Sequence, residues 1–239
     1  ETPVGGISLE AIEAAVRADD QHFPVTRLVC LENTHNLCGG AVLPAEYVDS
    51  VGALCRAKGL RLHVDGARVF NAAAAAGVSA ARLCKAADTV SVCLSKGLAA
   101  PIGSLLVGPA DLIRRARRHR KVLGGGMRQS GVLAVCGLLS LSVMTKRLQE
   151  DHDSARSLAE GLAQVPGVIL DPSTVHTNIV YFRLAGGKAH RAVAALKKKG
   201  VLVTAKDDAT LRAVTHYMVP AESCDYVVRC VRDVVAALQ

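Results

Sequence analysis

Residues 63–97 read HVDGARVFNAAAAAGVSAARLCKAADTVSVCLSKG, and this stretch decides the fold. Leu60 to Val64 and Thr89 to Leu94 are short apolar runs with the pattern of buried strands. Between them, Phe70 to Ala76 is an alanine-rich helix former. Strand, helix and strand in that order predict a crossover unit whose strands run parallel. Parallel strands end on one edge of their sheet, so Asp65 and Lys96, at the ends of the two runs, are expected on the same edge.

The pattern extends in both directions. Ser8 caps a first helix, Leu9 to Arg17, and VTRLVCLEN (25–33) reads as a buried strand. Pro44 opens a helix to Lys58, which Gly59 stops. Gly103 to Val107 is a fourth strand, and Asp111 to Val122 a basic helix broken by Gly124, Gly125 and Gly126. Gly131 to Ala159 reads as one long helix. From Val168 onward, the strand runs VIL, NIVYFRL, VLVTA and RAVTHYMV alternate with helices at 187–199 and 221–238. The expected organisation is a partial large α/β domain over 1–145, then a connecting helix and small α+β domain over 146–239.

Half of the 239 residues are apolar and about a fifth are charged, an ordinary globular composition with room for a real core. Aromatics are few and tryptophan is absent, so the core must rest on Ala, Val and Leu. The net charge of +8 raises nucleic acid or an acidic membrane as a partner. Its basic residues are scattered apart from Arg114 to Lys121, and few aromatics lie near them for base stacking, so neither partner is expected. The eight cysteines include no CxxC pair, and no metal site is expected. Cys30 and Cys93 sit in apolar runs as small core residues, which fits a reducing compartment. With no signal-like start, cytoplasm is the expected location and the mitochondrion the alternative.

Two residues carry the strongest chemical signal. Lys96, in Ser95-Lys96-Gly97, stands where open α/β sheets place their ligands, and partial burial there would free its amine to attack a carbonyl. The alternative is a solvated lysine in a turn. Asp65, in HVDGAR, could hold a ring nitrogen protonated, as pyridoxal phosphate requires; the alternative is a helix N-cap. An acid and a lysine on one sheet edge are what a Schiff-base cofactor needs.

Six segments in order then resemble the successive signatures of the threonine aldolase family: LENTHN (31–36), HVDGAR (63–68), SVCLSKGLAAPIGSLLVG (91–108), GGGMRQSG (124–131), LQEDHD (148–153) and LRAVTH (211–216). The resemblance implies the PLP-dependent transferase-like fold, aspartate aminotransferase fold type I. It implies retro-aldol cleavage of threonine or allo-threonine to glycine and acetaldehyde, with pyridoxal 5'-phosphate as cofactor. Lys96 would hold the cofactor as a Schiff base, and Asp65 would pair with the ring nitrogen. Arg68 would lie beside the ring and orient it and the substrate; Arg212 would grip the substrate carboxylate. His22 matches a histidine near the substrate hydroxyl and would act as general base. Lys121 is placed at the rim of the site, and Arg128 and Ser95 at the cofactor phosphate. Glu32 and Asn33 read as support for the pocket.

The resemblance also implies homodimers or homotetramers. Family members carry a further N-terminal segment with a phosphate-cupping Gly-Thr turn and a ring-stacking histidine, which this sequence does not contain before Glu1. A truncated, non-catalytic chain is therefore one alternative. Another fold type I lyase or a transaminase is the second.

Overall fold

The computed structural model describes residues 4–238; Glu1, Thr2, Pro3 and Gln239 lie outside the described residues. The chain divides into two compact units, one of residues 1–38 and 42–146, the other of 39–41 and 147–239.

The first unit is built on a four-stranded mixed sheet. Its strands are β1 (Leu28–Glu32), β2 (Arg61–Asp65), β3 (Thr89–Cys93) and β4 (Ser104–Val107), side by side in that order. β1, β2 and β3 are parallel, and β4 runs antiparallel to β3. The crossovers carry α2 (Ala45–Ala57), then α3 (Val69–Ala76) with the short α4 (Ala80–Leu83). Leu62, Val64, Val90 and Val92 bury their side chains with Val48, Val51 and Cys55 of α2 and Val69 of α3. Gly77, with a φ of 65°, ends α3 in the left-handed conformation that glycine adopts without strain. Ahead of β1 lies α1 (Leu9–Ala15), capped as expected by Ser8, whose side chain accepts the Ala11 N–H.

After β4 come α5 (Ala110–Val122) and α6 (Gly131–Ser142). The long helix expected from Gly131 to Ala159 is two helices. α6 ends at Ser142, a 3-10 turn spans Met144–Lys146, and α7 (Leu148–Ala163) starts afresh. Glu150 and Asp151 put two carboxylates in the first turn of α7, where the helix dipole favours them, and Arg147 pairs with them at 3.0 Å to Oε2 and 2.9 Å to Oδ1. Among the described residues, no single helix is long and apolar enough to cross a membrane.

The second unit has an antiparallel sheet of β5 (Val168–Ile169), β6 (Ile179–Leu184), β7 (Thr204–Ala205) and β8 (Thr210–Val214), in the order β5-β6-β8-β7. Val180, Phe182, Leu211 and Ala213 pack with α7, α8 (Ala189–Lys198) and α9 (Ser223–Leu238). The runs VLVTA and RAVTHYMV form shorter strands than their apolar content suggests. β7 keeps two residues, and β8 ends before Thr215.

Candidate active site

β1 and β2 pair from Leu28 opposite Arg61 to Glu32 opposite Asp65. β2 and β3 pair up to Asp65 opposite Ser91. Asp65 therefore ends β2 with Glu32 on one side and Ser91 on the other. Its Oδ1 accepts the Ala67 N–H at 3.0 Å and the Ser91 hydroxyl at 3.4 Å. Its Oδ2 takes no hydrogen bond among the described residues and belongs to an exposed side chain. One oxygen is thus held while the other faces outward. Gly66 makes this turn possible, because a Cβ there would lie 2.9 Å from the Ser91 carbonyl and 3.0 Å from Val69 Cβ.

Arg68 sits half-buried just past this turn and donates through Nη1 to Asn36 Oδ1 at 3.3 Å. Asn36 is held in turn by Glu32, whose Oε1 accepts its N–H at 3.2 Å. The Glu32 carboxylate also lies 3.8 Å from His35 Nε2. Asn33 is buried and clamps the chain at Leu43, donating to its carbonyl at 3.0 Å and accepting its N–H at 3.1 Å. The segment after β1 is a scaffold for Arg68.

Lys96 follows β3 on the same edge as Asp65, since β2 and β3 are parallel. It is exposed rather than partly buried, and among the described residues its amine makes no hydrogen bond or ion pair. Around it the backbone turns sharply: Ala99 N donates to the Lys96 carbonyl at 2.9 Å, and Leu94 pairs with Gly103 and Ala100. Ser95, also exposed, has its Oγ 3.4 Å from Cys93 Sγ. Burial pushes the Cys93 thiol up, but hydrogen bonds to Ser95 and the nearby Lys96 charge outweigh it and hold the thiol below its usual value.

The remaining site residues of the first unit make no hydrogen bond to Asp65, Arg68 or Lys96 among the described residues. His22 lies on the segment between α1 and β1. It is exposed, with Nδ1 2.7 Å from Asp20 Oδ1. The hydrogen bonds from the His22 backbone and ring hold the Asp20 carboxyl below the usual carboxylate range. Lys121 closes α5, where its carbonyl accepts the Gly124 N–H at 3.1 Å. Arg128 is exposed in the segment between α5 and α6. Arg212 lies in the second unit on β8, opposite Tyr181 of β6 and Thr204 of β7, half-buried on the face away from Leu211 and Ala213.

The structure thus brings Asp65, Arg68, Ser95 and Lys96 to one sheet edge. It adds two residues that sequence reading did not single out, Ser91 on Asp65 and Asn36 on Arg68.

A family model for beta-eliminating lyases matches residues 1–185. A low-specificity L-threonine aldolase of Arabidopsis thaliana is 42% identical over 240 residues, covering 98% of this chain and 67% of that protein. A threonine aldolase structure from Leishmania major superposes with a TM-score of 0.77 at 22% identity, covering 98% of this chain and 68% of that one. A PLP-dependent aminotransferase from Streptococcus suis superposes with a TM-score of 0.73 at 16% identity, covering 97% and 62%. The fold is that of PLP-dependent fold type I enzymes. The chain spans 63–67% of the length of the first curated relatives it matches.

Proposed function

Because the chain belongs to the beta-eliminating lyase family, alongside its threonine aldolases, we propose that it serves retro-aldol cleavage of threonine or allo-threonine to glycine and acetaldehyde. The observation that carries this reading is that parallel β2 and β3 end at Asp65 and, just past Cys93, at Lys96 on one sheet edge. These residues fit pyridoxal phosphate: an exposed amine without a partner among the described residues, and a carboxylate held by one oxygen with the other open. When bound, that cofactor supplies an electron sink for the pair released as the Cα–Cβ bond breaks.

Lys96 offers the nucleophilic amine that would hold the cofactor covalently. Asp65 Oδ2 would accept a ring N–H, with Oδ1 kept in place by Ala67 N and Ser91. Arg68 is assigned to ring and substrate, and Ser95 and Arg128 to the phosphate. Arg212 is assigned the substrate carboxylate, which its planar fork can bind through two parallel hydrogen bonds. Lys121 is assigned to substrate as well. His22 is the proposed base for the β-hydroxyl proton. Asp20 accepts its Nδ1–H, which leaves Nε2 as the free acceptor.

Product analysis tests the reading. The intact protein with pyridoxal phosphate and L-allo-threonine is expected to release glycine and acetaldehyde in equal amounts. Release of a keto acid instead would make it a transaminase, and no product from any β-hydroxy amino acid would leave the non-catalytic reading.

We further assign the protein to a homodimer or homotetramer. α6 supports this, because Val132, Val135, Leu138 and Leu139 are all exposed, and a helix apolar on so many sides is normally buried. Light scattering is expected to give the mass of at least two chains. A single-chain mass at micromolar concentration would refute the assignment.

A further inference from the structure

The motif LQEDHD opens α7, and the reaction above gives it no role. Asp151, in the first turn of α7, is 2% exposed. Its Oδ1 is paired with Arg147, and its Oδ2 is buried without a hydrogen bond among the described residues. The Asp151 carbonyl accepts the hydroxyl of Thr215 at 2.6 Å. Thr215 follows β8, and on its other side it is tied to Asn178, which precedes β6. Thr215 N donates to the Asn178 carbonyl at 3.0 Å, and Asn178 Nδ2 donates to the Thr215 carbonyl at 3.0 Å. Thr215 and Asn178 are buried as deeply as Asp151.

This is an expensive way to join a helix to two strands. Asn178 Oδ1, like Asp151 Oδ2, is buried with no hydrogen bond among the described residues, and an apolar contact would be more stabilising. What polar contacts add is direction. Side chains alternate along β8, so Leu211, Ala213 and Thr215 face the core while Arg212 faces away from it. Support on the β7 side is slight, since β7 has two residues. On the other side β6 pairs with β8 as far as Val214, and just past that point the bonds through Thr215 fix the chain.

We propose that Asp151, Asn178 and Thr215 form a buried clasp that aims Arg212, which makes Thr215 a positioning residue for the substrate carboxylate. The proposal rests on the reading of Arg212 given above.

The test uses the intact protein with pyridoxal phosphate. Thr215→Val removes the hydroxyl and is expected to raise both the KM for L-allo-threonine and the Kd for glycine about tenfold. Both kcat and the cofactor absorbance should stay within about twofold of the parent. Thr215→Ser keeps the donor and should restore KM. A residue needed only for folding would lower the active fraction, hence kcat, without moving KM. That pattern, or an unchanged KM in folded Thr215→Val, overturns the clasp. Should Thr215→Val not fold, Asn178→Ala, which removes the Nδ2 contact, is read in the same way. Arg212→Lys separates the two levels of the argument. If it leaves KM unchanged, the carboxylate reading of Arg212 fails and the clasp with it; if it raises KM while Thr215→Val does not, the clasp alone fails.

Discussion

Lys96→Ala is expected to abolish the near-visible absorbance that pyridoxal phosphate acquires on binding the protein, and to cut acetaldehyde release on the order of 10⁴-fold. The amine is the group that would bond the cofactor, and no neighbour can replace it: Asp65, Arg68 and Ser95, which share its sheet edge, cannot form a Schiff base. Lys121 is the control. It is an exposed lysine at the end of α5, with no ion pair among the described residues. Lys121→Ala should keep the absorbance band and weaken substrate handling alone. A band that survives in Lys96→Ala and disappears in Lys121→Ala would show that the wrong lysine has been chosen. The exposure of Lys96 sharpens the point. Its place rests on strand topology and on the turn through Ala99, with burial contributing little.

That topology could be read from the chain because its signals are local. The runs around Asp65 and Lys96 are short and apolar with glycine just beyond, so both strand ends were marked. Ser91 and Asn36 carry no such mark. Ser91 is one polar residue inside a strand, and its contact with Asp65 follows only from the register of β2 against β3. Asn36 matters through a bond to Arg68, 32 residues away. The break between α6 and α7 was invisible for a related reason. Neither glycine nor proline lies between Gly137 and Gly161, and helical periodicity runs through the break. Arg147 pairs with Glu150 and Asp151 at the start of α7, contacts that a sequence pattern does not weight. Residues 39–41 group with the second unit through contacts such as the Thr177 hydroxyl on the Gly40 carbonyl, 137 residues apart.

His152 gives the second large effect, on stability. It lies on α7 next to Asp151, 2% exposed, and burial lowers its pKa from 6.5 to about 4, with Asp153 opposing that shift and Arg156 adding to it. The folded protein keeps the ring neutral. The unfolded chain takes up a proton as pH falls through 6.5. Between 6.5 and about 4 the unfolded state therefore binds more protons, and stability is lost as the pH drops, by about 3 kcal/mol across the window. Asp151 works in the other direction. Burial raises its carboxyl, with Arg147 pulling it back, so its protonation favours the folded state as the pH enters the carboxylate range. The loss from His152 should thus dominate between pH 6.5 and 5. Urea unfolding at pH 7, 6 and 5 measures it. Tyrosine fluorescence suits the purpose, because the chain lacks tryptophan and three of its four tyrosines, Tyr181, Tyr217 and Tyr226, belong to the second unit, with Tyr47 in the first. His152→Gln places a non-titrating polar group at the same position and should flatten the pH dependence, whatever its stability at pH 7. Equal slopes in the two proteins would mean that acid sensitivity in this unit arises from another group.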